Sequence, residues 1–161
     1  MSQGRTILSL LRKRVDALSA LKESLLHQQH ALLENQPHRL EAINMEQVAI
    51  MEDIQALEVE WATLKKQLQN SSAPAVDPDY PYIQYLSDDE LLEFEQLKTQ
   101  VRALGEEIQR LKENNQALIE NSLGFVRAVL RSVESGVDSQ AVYRPGRQRP
   151  RQRNIVLDKT L

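Results

Sequence analysis

A chain of 161 residues with five glycines and six prolines has room for one ordinary domain and too few turn formers for a loop-rich or all-β fold. Hydrophobic residues make up 41% but aromatics only 4%, so a core has to be built from Leu, Ile, Val and Ala, a composition that suits packed helices. The absence of cysteine excludes disulfides, thiol catalysis and thiolate metal sites, and it allows a reducing compartment; the cytoplasm is the expected location. Residues 1–142 carry 14 Lys+Arg against 22 Asp+Glu and residues 143–161 carry 6 against 1, so the net charge of -3 joins an acidic body to a basic tail.

The early apolar run Ile7–Leu11 is interrupted by Ser9 and followed by Arg12, Lys13 and Arg14, too short for a signal-peptide core or a membrane span. Leu8, Leu11, Val15, Leu18, Leu25 and Leu32 recur at helical spacing and predict a first helix over about 5–35, which Asn35 and Pro37 punctuate as a hairpin turn. A second helix over 38–70 follows from Leu40, Ile43, Gln47, Ile50, Ile54, Leu57, Trp61, Leu64 and Leu68, a strict alternation of three and four with one polar member. Pro74, Pro78 and Pro81 then impose a linker over 71–86.

Ser87-Asp88-Asp89-Glu90 has the form of a capping box and opens a third helix over 88–134. Its seam is Phe94, Leu97, Val101, Leu104, Ile108, Leu111, Asn115, Leu118, Ser122, Phe125 and Val129, and Gly136 is the expected stop. At 1.5 Å per residue the third helix spans roughly 70 Å and is expected to outrun the other two. The expected fold is therefore all-α: an antiparallel three-helix bundle or coiled coil over 1–136 with a long third helix, then a flexible basic tail over 137–161.

His27 and His30 stand three apart, but glutamines flank them and no third ligand shares their face, so a solvated surface is the stronger reading and no metal is expected. No phosphate loop, nucleophile elbow or paired histidine and carboxylate is present, which points away from catalysis and from any cofactor. Arg144, Arg147, Arg149, Arg151 and Arg153 could contact phosphates, but the body is acidic and no aromatic platform lies among them, so nucleic acid is a minor alternative. Tyr80, Tyr82, Ile83 and Tyr85 could anchor a partner, although folding down over one end of the bundle explains them better. Asn115 and Ser122 interrupt the third seam, where a polar residue fixes register.

The stretch Asn114-Asn115-Gln116-Ala117-Leu118-Ile119-Glu120-Asn121-Ser122-Leu123-Gly124-Phe125-Val126, followed by Tyr143-Arg144-Pro145-Gly146 and Asn154-Ile155-Val156-Leu157-Asp158-Lys159, resembles the FlgN-type flagellar export chaperones. Ala31-Leu32-Leu33-Glu34 at the first turn fits as well, while Met45, Glu46 and Trp61 depart from that pattern. The resemblance implies a chaperone that binds hook-associated proteins of the hook–filament junction and delivers them to the type III export gate. It also implies cargo-binding roles for Phe125, Val129, Val133, Ile155, Val156 and Leu157, and gate docking by Tyr143. The residues alone leave two further readings open: a structural coiled-coil adaptor, and a nucleic-acid binder using the tail.

Overall fold

In the computed structural model the described residues are 2–71 and 82–141, with side chains to 136. They form helices α1 (Gln3–Leu33), α2 (Pro37–Asn70) and α3 (Asp88–Ala141), with a short 3-10 turn, Ile83–Tyr85, just before α3. The all-α expectation holds. The tail residues 142–161, with Tyr143, Ile155, Val156 and Leu157, and the linker residues 72–81, with Tyr80, lie outside the described residues.

Helix boundaries follow from local chemistry. Ser2 sits in extended backbone and its Oγ accepts from the Arg5 amide at 3.3 Å, which starts α1 two residues before the periodicity does. At the other end Asn35 takes the left-handed conformation (φ 52°), the Gln36 amide donates to the Ala31 carbonyl at 2.9 Å and the Asn35 amide to that of Leu32 at 3.4 Å. This is a Schellman closure with asparagine in the place usually held by glycine, and Pro37 then opens α2 where a missing amide costs nothing. The capping box of α3 forms reciprocally: the Glu90 amide donates to Ser87 Oγ at 3.3 Å, and the Ser87 amide to Glu90 Oε2 at 3.0 Å.

The expected stop at Gly136 is not used. The helix runs through it to Ala141, because a glycine inside a helix costs only about 1 kcal/mol relative to alanine and stops it only when the backbone turns left-handed, which Gly136 does not.

Residues 1–114 form one compact unit. Its core has two clusters. One gathers Ile7, Leu8 and Leu11 of α1 with Leu68 of α2 and Phe94 and Leu97 of α3. The other joins Leu21 and Leu25 to Ile108 and Leu111, with Ile50 and Ile54 packed against them. Residue pairings fix the directions: early α1 meets late α2 and early α3, so α2 runs antiparallel to both neighbours. Two ion pairs bind the parallel helices α1 and α3: Arg12, whose Nε donates to Glu93 Oε1 at 2.7 Å, and Lys22 with Glu107 at 2.5 Å.

The hydrogen bond from Lys22, then its charge, lowers the Glu107 carboxyl below the ordinary glutamate value. A carboxylate lowered on folding stabilises above its unfolded value and loses that contribution as pH falls through its folded value, so this pair works at neutral pH. Both groups are partly exposed, and the effect is modest.

The aromatic residues after the linker close one end of the bundle, as expected. Tyr82 meets Trp61 edge-on at 5.5 Å and Phe94 at 5.3 Å between ring centroids, while the Tyr85 hydroxyl donates to the Leu68 carbonyl at 3.3 Å and lies 3.1 Å from Ser71 Oγ. Gly4 is buried beside this closure: a Cβ there would stand 2.8 Å from the Tyr85 carbonyl oxygen and closer still to the Glu90 carboxylate that caps α3. Gly4→Ala is therefore expected to destabilise by about 1–3 kcal/mol, since backbone must shift to admit the methyl. Urea unfolding checks it, and an unchanged midpoint would contradict the closeness of this contact.

Candidate functional site

Residues 115–141 belong to a second unit, which the described residues fill with the C-terminal part of α3. The apolar pattern does not stop where burial does. Asn115 is buried and Leu118 half-buried, after which Phe125, Val129 and Val133 stand exposed, Phe125 at 58%. They share one face of the helix at four-residue spacing. A second row, Ile119, Leu123, Val126 and Leu130, runs beside them at spacings of four, three and four, and it too is exposed.

Counting only the heptad seam misses this second row. The signal was available in the stretch Ile119 to Leu130, since one helical face wider than a coiled-coil seam contains both rows.

The polar residues of the segment leave that face apolar. Glu120, Arg127, Arg131 and Glu134 flank the outer edge of the second row by helical period, two acids against two bases, so residues 119–134 have no charge bias. Ser122 donates its hydroxyl to the Leu118 carbonyl of the preceding turn at 2.9 Å and presents no unpaired donor to a partner. Gln116 and Glu120 bond along the helix at 3.0 Å. The face can thus bury apolar side chains of another chain, and it offers no acid, base or nucleophile arranged for chemistry.

Of the residues implicated by sequence, Phe125, Val129 and Val133 are brought together on this face, while Tyr143, Ile155, Val156 and Leu157 lie outside the described residues. His27 and His30 are exposed on α1, and among the described residues no group of three or more His, Asp or Glu is placed to hold a metal. No helix among the described residues is long and apolar enough to cross a membrane.

A family model described as FlgN protein matches residues 1–151. No curated protein and no solved structure matches the chain. The match spans α1, α2, α3 and the sequence on to residue 151, so this chain belongs to the FlgN family of flagellar export chaperones.

Proposed function

We propose that this chaperone works in the cytoplasm, holds hook-associated flagellar proteins in an export-competent state and delivers them to the flagellar type III export gate, without catalysis or cofactor. The observation that carries the reading is the two-row apolar face of α3 from Ile119 to Val133, exposed among the described residues. Apolar surface of this extent on a helix calls for a protein partner, and a reversible one suits a chaperone that must release its cargo. Phe125, Val129 and Val133 are the first half of the grip, and Ile155, Val156 and Leu157 are the second. Arginines between the halves speed encounter with cargo and contribute little to holding it. The partners are proteins, with no role for nucleic acid or membrane insertion.

Tyr143 lies between the two halves, next to Pro145 and Gly146, and serves docking at the gate. Tyr143→Ala is expected to leave cargo affinity within about threefold, under 1 kcal/mol, while export of the hook-associated protein in cells falls. Calorimetry with purified cargo beside a secretion assay separates the two roles. Loss of cargo affinity in the same variant would place Tyr143 in the grip instead.

A further inference from the structure

A second apolar surface lies on α2, within the compact unit and separate from the α3 face. The inward side of α2 is occupied by Ile43, Ile50, Ile54, Leu57 and Trp61, half-buried or better. On its outer side Met45, Val48, Met51 and Val59 are exposed, Met45 at 70% and Val59 at 62%. This stripe is not needed by the bundle, and its spread of 14 residues amounts to about 21 Å of helix.

Charge around the stripe is one-sided. Residues 41–60 contain six carboxylates and no lysine or arginine. Glu41 stands four residues before Met45, Glu52 four after Val48 and Glu58 seven after Met51, so by helical period these three lie along the stripe. All six carboxylates are exposed, and among the described residues none takes part in an ion pair. At its C-terminal end the stripe runs into an open groove of about 490 Å³ between α1 and α2, which Val59 and Glu60 line together with Leu10 and Leu64.

We propose that the outer face of α2 is a docking surface for a basic amphipathic helix of a partner protein. Three observations select that occupant. The stripe has helical spacing and a length of about four turns, which fits apolar anchors presented at every third or fourth residue of a bound helix. The unpaired carboxylates that rim it attract lysine and arginine, and they repel a second copy of the same acidic face. Two of the chain's three methionines stand in the stripe, and methionine's unbranched, polarizable side chain adapts to differing partner surfaces.

The test uses the full chain with its methionine methyl groups isotopically labelled and a synthetic peptide of about 18 residues, five helical turns, carrying leucines at three-four spacing flanked by lysines. The Met45 and Met51 methyl resonances are expected to move on titration while Met1 stays, and affinity is expected to fall at least about tenfold from low to high salt. A peptide with glutamates in place of the lysines is expected to bind at least about tenfold more weakly. The triple variant E41Q, E52Q and E58Q is expected to lose about tenfold affinity for the basic peptide with an unchanged unfolding midpoint, because these side chains are exposed and unpaired. The variant F125Q with V129Q is expected to bind it as the parent does.

Methionine resonances that stay still, or equal binding by the triple variant, would overturn the proposal. So would shifts of Met45 and Met51 with protein concentration alone, which assign the face to a second copy. Shifts on deleting residues 143–161 would overturn it as well, because they assign the face to the chain's own basic segment.

Discussion

Replacing Phe125 and Val129 together by glutamine is expected to weaken binding of a hook-associated protein on the order of a hundredfold while leaving the unfolding midpoint of the chaperone nearly unchanged. The magnitude follows from burial: each side chain contributes roughly 1.5–3 kcal/mol when fully covered, and incomplete coverage on a helix surface brings the pair to about 3 kcal/mol. Glutamine keeps the helix, since its propensity is close to that of leucine, so lost affinity cannot be traced to a melted α3. The unchanged midpoint follows from exposure, because neither side chain belongs to either core cluster. Calorimetry with purified cargo, alongside thermal unfolding of the free variant, measures both quantities. Undiminished affinity would remove this face from the grip.

The largest expected effect on stability is at Phe94. It is 2% exposed, packs with Ile7, Leu8, Leu11, Leu68 and Leu97, and meets the Tyr82 ring that in turn meets Trp61. Phe94→Ala is expected to cost about 3–5 kcal/mol, the range for removing a buried ring when its surroundings cannot collapse into the space. Three helices and the closing aromatic turn all border the site, which limits collapse. A loss below about 1 kcal/mol in urea unfolding would mean that this end of the bundle repacks freely.

Much of this architecture was legible because each signal had one physical meaning. The strict three-four spacing from Leu40 to Leu68 admits only a helix with one packed stripe, and the Ser87 to Glu90 box admits only a helix start. Asn35 with Pro37 marked the hairpin, although the closing hydrogen bonds that let asparagine take a glycine's place appear only in the structure. Gly136 misled because a glycine stops a helix only when the chain beyond it turns away, and composition does not report that.

The candidate site was legible in part. Phe125, Val129 and Val133 lie on the core seam's own register, so sequence periodicity cannot say where packing ends and exposure begins. That boundary, near Leu118, depends on which residues face a neighbour. The parallel row Ile119, Leu123, Val126 and Leu130 was readable from its own three-four spacing, but it lies beside the narrower heptad seam and not on it. Met45, Val48, Met51 and Val59 likewise lie off the seam of α2, among its carboxylates.

The central claim is that cargo is held by the end of α3 and the segment after it, and not by the bundle. It is tested most directly by calorimetry of cargo against a chain ending at Gly124. Both core clusters end before Asn115, so this shortened chain keeps the packing that stabilises the first unit. The account predicts that its thermal unfolding stays cooperative and that its cargo affinity falls by at least about a hundredfold, close to 3 kcal/mol. Cargo binding at full affinity by the chain ending at Gly124 would contradict the account and return the grip to the bundle.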